Sequence, residues 1–209
     1  MTKQLRFLIL LLFIVIGSGV SFTAFASEKT SPEEAAKFIH QLGQSAVQVL
    51  GDSSSTLEQR EANVQGLLKT NFALDRIGRF VLGKTWKKAS QEQQVEYQHL
   101  FGQYILAMYA RRLGGYTGQT FEVVKAEPVG KKDAVVFTNI TRPSATPITC
   151  GWRVRRVGTS HKILDVIVEG ISMVSAQRAE FSSVVKAQGL DGLINTLRIQ
   201  VTKFSAQAS

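Results

Sequence analysis

The sequence predicts an α+β fold, and three observations predict it. The hydrophobic period stays near 3.6 up to Tyr116, drops to 2 between Phe121 and Ile171, and turns helical again after Ser172. Helices, then strands joined by short turns, then helices is the order of an antiparallel sheet with helices segregated to one side.

The first residues stand outside that pattern. Lys3 and Arg6 precede an apolar run from Phe7 to Ile16, and small residues lead to Ala24-Phe25-Ala26, the layout of an export signal with a signal-peptidase site. Cleavage after Ala26 is expected. The rival reading, an uncleaved anchor, needs about 20 apolar residues, and this run is shorter. The remaining 183 residues (209 − 26) suit one domain, residues 27–209.

Helices open that domain. Ser31 reads as an N-cap with Pro32 in the first turn and Glu33-Glu34 behind it, and Ala35, Ile39, Leu42, Ala46 and Val49 mark one face as far as Gly51. Thr56 and Gln59 restart a helix carrying Val64, Leu67 and Leu68, and Leu74 to Leu82 carries Ile77, Val81 and Leu82 before Gly83. The longest periodic helix follows. Ser90 and Gln93 have capping-box spacing, Gly114-Gly115 supplies a stop, and Tyr97, Phe101, Tyr104, Ile105, Met108 and Tyr109 form one wide apolar stripe. Such a stripe either fills a core or lines a cavity.

Four strands are expected: one beginning at Phe121, then Ala134 to Thr141, Ile148 to Val157, and Ile163 to Ile171. Gly130 to Asp133, Arg142 to Pro147, and Gly158 to Ser160 serve as hairpin links. In the third strand Cys150, Trp152 and Val154 alternate with Gly151, Arg153 and Arg155, so one face is apolar and the other open and basic. In the fourth, Leu164, Val166 and Val168 share a face, and Asp165 and Glu169 on the other are expected to pair with Arg153 or Arg155 across strands. The closing helix carries Phe181, Val184 and Val185, breaks at Gly189, and resumes through Leu193, Ile194, Leu197, Val201 and Phe204.

Charge and chemistry narrow the function. Without Lys3 and Arg6 the chain holds 23 basic and 16 acidic residues, a net charge of +7. In an exported protein this points to lipid headgroups, a membrane surface or an acidic protein rather than nucleic acid. The single cysteine, Cys150, forms no internal disulfide and reads as a small buried hydrophobe. His40, His99 and His161 lie far apart with no metal-ligand spacing and read as surface residues, and no nucleophile, phosphate-loop or dinucleotide motif occurs. Two alternatives stay open: an enzyme built from dispersed carboxylates, and an exported adaptor with no ligand.

The run Phe80-Val81-Leu82-Gly83, Trp86, Ala89-Ser90 and the Tyr97/Phe101/Tyr104/Tyr109 helix, followed by Ile163-Leu164-Asp165-Val166, Glu169-Gly170-Ile171-Ser172 and the Arg178/Phe181/Gly189 helix, resembles the MlaC-type family. These are periplasmic phospholipid-binding, toluene-tolerance auxiliary components of bacterial ABC lipid transporters, with similar hopanoid-associated HpnM-like relatives. The resemblance spans nearly all of residues 27–209. It implies an NTF2-like antiparallel sheet packed on one face by helices around a deep apolar lipid cavity, the headgroup staying near solvent. It implies a monomeric carrier that shuttles phospholipid, or a similar lipid such as a hopanoid, between inner-membrane ABC transporter and outer-membrane lipoprotein complexes. The lipid is cargo, with no cofactor, metal or catalysis expected, and the enzyme is then one on an NTF2-like scaffold. Expected lipid-binding residues are Phe80, Val81, Trp86, Phe101, Tyr104, Ile105, Met108, Trp152, Val154, Val166 and Val168, with Met108 and Met173 as adaptable wall. Arg153, Arg155, Lys131 and Lys132 form the expected partner-docking patch.

Overall fold

A computed structural model describes residues 29–114, 118–141 and 146–206. The expected leader, the second glycine of the Gly114-Gly115 stop and residues 142–145 of the second hairpin link lie outside the described residues. Helix α1 (Pro32–Gly51) is capped by Ser31, whose hydroxyl accepts from the Glu34 amide at 3.5 Å. Helix α2 (Leu57–Asn71) has a full capping box: the Gln59 amide donates to Thr56 Oγ1 at 3.2 Å and the Thr56 amide donates to Gln59 Oε1 at 2.8 Å. Helix α3 (Leu74–Leu82) runs into a 3₁₀ segment, Gly83–Lys88, that the periodicity did not announce. The Ser90–Gln93 box then starts helix α4 (Gln91–Gly114).

Five antiparallel strands follow in chain order across one sheet: β1 (Thr120–Val129), β2 (Asp133–Thr141), β3 (Ile148–Val157), β4 (Ser160–Val168) and β5 (Ile171–Ser172). The fourth expected strand is thus two. Glu169 and Gly170 both take positive φ (48° and 80°), and the chain doubles back there instead of running on to Ile171. Helix α5 (Met173–Ala206) closes the chain and bends at Gly189, where φ 73° with ψ −179° is a backbone state open to glycine.

A bulge on β4 changes one facing assignment. Arg153 stands opposite Asp165 while the next residue, Val154, stands opposite Ile163, so Leu164 is the extra residue. Ile163, not Leu164, therefore joins Val166 and Val168 on the helix side, where it is fully buried.

The core has two parts. Ala35 and Ile39 of α1 press onto Ala134, Val136, Val154 and Ile163 of the sheet. Gly43 lets α1 approach closely, because a Cβ there would stand 2.2 Å from the Phe121 ring on β1. The second part gathers α3, α4 and α5 around Tyr97, Phe101 and Phe181, whose rings lie 5.7–6.5 Å apart in stacked and edge-on pairs. Burial drives the Tyr97 phenol well above its ordinary pKa, and its hydroxyl donates to the Gly78 carbonyl at 3.0 Å.

Candidate functional site

Between the two core parts the packing leaves a cavity of about 290 Å³ with almost wholly apolar walls. Residues four apart on one helix lie nearly one above another, and this spacing builds the helical walls. Leu42, Ala46 and Leu50 come from α1, Val64, Leu67 and Leu68 from α2, and Leu74, Ile77 and Val81 from α3. From α4 come Phe101, Ile105, Tyr109 and Leu113. The opposite wall is sheet, with Ile140, Cys150, Trp152, Val166 and Val168 on its helix-facing side.

The wide stripe on α4 therefore does both things open to it. Phe101, Ile105 and Tyr109 look into the cavity, while Tyr97 and Tyr104 turn to α5, where Tyr104 sits 6.3 Å from Phe181 and 6.1 Å from Phe204. Met108, one turn on from Tyr104, is half-buried and outside the lining.

Of the residues expected to bind lipid, the fold brings Val81, Phe101, Ile105, Trp152, Val166 and Val168 to the cavity. Val154 is buried under α1 instead. Phe80 is 49% exposed with the Arg178 guanidinium 4.9 Å above its ring, and Trp86 packs edge-on to Tyr97 beneath Arg79. The walls from α1 and α2 and Phe72 were not singled out from sequence. Their signal was present as apolar positions at helical spacing, but nothing local separates a helix face that meets another helix from one that meets a void.

Polar groups gather where the start of α5 meets the cavity. Met173, Val174 and Gln177 line it there, beside Asp165 and Tyr109. Asp165 does not pair with Arg153. Its carboxylate accepts from the Ser172 hydroxyl at 2.6 Å and the Val174 amide at 3.1 Å, capping the first turn of α5. Glu169 likewise turns from the arginines and accepts from the Thr149 amide at 2.6 Å. Burial raises the Tyr109 phenol, Arg112 opposes that, and Asp165 and Glu180 add to it. Cys150 is a buried free thiol in the wall, raised by burial and by Glu169. The Trp152 indole N–H donates to Thr138 Oγ1 at 2.8 Å, leaving its ring to the cavity and to Phe121, 6.0 Å away.

On the other face of the sheet the two arginines share one partner. Asp133, 2% exposed, accepts from Arg153 Nε at 2.7 Å and from the Arg155 guanidinium through both of its oxygens. Burial alone would raise this carboxyl. The hydrogen bonds and charges of Arg155 and Arg153 outweigh it and hold the carboxyl below its ordinary value. Lys131 and Lys132 are exposed in the turn before β2, where the Lys132 carbonyl accepts from the Thr30 amide at 3.0 Å. His40 and His99 are exposed, whereas His161 is tucked against Phe38 (5.9 Å between rings) with Glu34 3.7 Å from its Nε2. Among the described residues no cluster of three or more His, Cys, Asp or Glu could hold a metal ion, and no helix is long and apolar enough to cross a membrane.

The family model described as MlaC protein matches residues 40–199. The intermembrane phospholipid transport system binding protein MlaC of Haemophilus influenzae is 24% identical over 187 residues, covering 84% of this chain and 87% of that protein. The toluene tolerance protein ttg2D of Pseudomonas putida is 25% identical over 152 residues, covering 69% and 71%. In three dimensions the chain superposes with a TM-score of 0.71 on a phospholipid-binding protein from Ralstonia solanacearum solved in complex with a phospholipid. That match covers 82% of this chain and 98% of the other at 18% identity.

Proposed function

The chain belongs to the MlaC family, and on that premise we propose that it is a periplasmic carrier that takes phospholipid acyl chains into the cavity and moves them between membrane complexes without chemical change. The observation that carries this reading is the apolar cavity between the helices and the sheet. Acyl chains offer nothing to hydrogen-bond, so they need walls of this kind, and each buried methylene is stabilised by about 0.8 kcal/mol relative to water. The names of the Haemophilus relative and the phospholipid-bound Ralstonia structure support the cargo class. The leader-like residues 1–26 support export to the periplasm. An inner-membrane ABC transporter and an outer-membrane lipoprotein complex are the proposed donor and acceptor.

A volume of 290 Å³ lies at the bottom of the roughly 300–1,000 Å³ usual for small-molecule sites. It suits part of one chain better than a whole two-chain lipid. Loading a whole lipid therefore requires the helical walls and the sheet to move apart, and any movement of α1 or α2 has to break the Glu34 contacts to Arg156 and His161 and the bond from the Lys162 ammonium to the Thr70 carbonyl. The acidic and amide groups at the start of α5 mark the proposed headgroup end.

Native mass spectrometry and solvent extraction of the purified protein test the reading. Phospholipid should co-purify. Ala46→Trp and Ile105→Trp should reduce it while leaving the melting temperature close to wild type, since added volume enters a void; in a filled core the same change costs about 1–3 kcal/mol. A lipid-free protein that takes up no labelled phospholipid would end the carrier reading.

A further inference from the structure

Helix α3 and the 3₁₀ segment behind it carry two different faces. Leu74, Ile77 and Val81 form one wall of the cavity. The other side presents Arg76, Arg79 and Phe80, at i, i+3 and i+4, and then Lys84, Lys87 and Lys88, all exposed. Between Leu74 and Lys88 five cations stand against the single acid Asp75. Arg178 of α5 adds a sixth above the Phe80 ring. Among the described residues none of these cations is held in an ion pair, whereas Arg153 and Arg155 are both engaged by Asp133.

We infer that this face is a docking surface for an anionic phospholipid bilayer. Two features favour a bilayer over an acidic protein. First, the aromatic side chains sit among the cations: Phe80 is half in water beneath Arg178, and Trp86 is half-buried beneath Arg79, 5.2 Å from its ring. Aromatic rings beside basic chains match the headgroup layer, where a ring enters the apolar boundary and cations meet phosphates. Second, Lys84 and Lys87 are three apart in a 3₁₀ turn and point the same way, and long lysine stems reach a charged plane without a shaped seat. A docked molecule sets the wall formed by Leu74, Ile77 and Val81 next to the membrane from which a lipid leaves. The inference deepens the carrier reading and rests on it for its purpose, though not for its geometry.

Sedimentation with vesicles of phosphatidylglycerol mixed into phosphatidylcholine, against phosphatidylcholine alone, tests it on the wild-type protein and on Lys84→Gln/Lys87→Gln/Lys88→Gln. Binding should require phosphatidylglycerol and weaken with salt. The triple variant should lose roughly a hundredfold in partitioning, about fivefold for each charge removed. Phe80→Ala should weaken the binding left at high salt, while Lys131→Gln/Lys132→Gln should bind as wild type does. All these positions are exposed, and circular dichroism confirms folding. No preference for phosphatidylglycerol, or an equal loss per charge from the Lys131/Lys132 pair, overturns the inference. Co-purified lipid in the same samples reads the carrier function separately: a protein that holds lipid but ignores vesicles removes the docking surface alone, and one that binds vesicles without holding lipid removes the carrier alone.

Discussion

The carboxylate of Asp133 at the start of β2 is held by Arg153 and Arg155 of β3, with the acid shut from water and the two bases left partly in it. The basic face of the sheet is organised around a buried anion, not simply exposed.

Replacing that anion has a pH signature. The folded-state pKa of Asp133 is depressed, so its stabilisation is fully present above the ordinary carboxylate value of ~3.9 and is lost as pH falls below it toward the folded value. Asp133→Asn should cost about 2 kcal/mol at neutral pH, a figure set below that of a fully buried pair because the arginines stay partly hydrated. Urea unfolding of both proteins should show the difference closing in strongly acidic buffer. A gap that does not change with pH would rule out the ion pair as its source.

Gly43 and Gly66 should respond to alanine in opposite directions. At Gly66 on α2 a Cβ meets nothing within 4 Å, so Gly66→Ala should stabilise by about 0.5–1 kcal/mol through helix propensity. At Gly43 the same gain is opposed by a Cβ 2.2 Å from the Phe121 ring. Overpacking of about 1–3 kcal/mol should prevail. Thermal melts of the two variants check the signs.

Tyr97→Phe removes the bond to the Gly78 carbonyl and little else. A loss of about 1 kcal/mol in chemical denaturation is expected, with lipid content unchanged because Tyr97 faces α5 rather than the cavity. Reduced lipid content at unchanged stability would show that α4 is rotated relative to the structure.

Cys150 is a natural reporter of occupancy. Its thiol is in the cavity wall and its raised pKa keeps it protonated and slow. An apolar maleimide should label delipidated protein faster than lipid-loaded protein, and mass spectrometry of the intact chain follows the rate. Equal rates would place the lipid elsewhere.

The order of helices and strands was legible because caps and turns are local chemistry: Thr56 with Gln59, Ser90 with Gln93, and Gly189 mark their boundaries whatever surrounds them. Other features were not. The bulge at Leu164 and the reversal at Glu169-Gly170 depend on cross-strand register, which a run of alternating residues does not encode. Partners across the sheet were missed for a similar reason. Asp133 sits in what reads as a turn, while Asp165 and Glu169, the apparent candidates, are taken by the backbone of the next elements. The cavity was legible on α4 and the sheet and not on α1 and α2, where Leu42 or Leu67 has the same appearance whether it meets a side chain or a void.

The indole of Trp152 faces the cavity and that of Trp86 lies outside it under Arg79, and the sequence holds no other tryptophan. Filling the interior and approaching an external surface are thus optically separate events in this molecule. Emission from a Trp86→Phe protein follows the first and emission from a Trp152→Phe protein the second, with no dye attached to either.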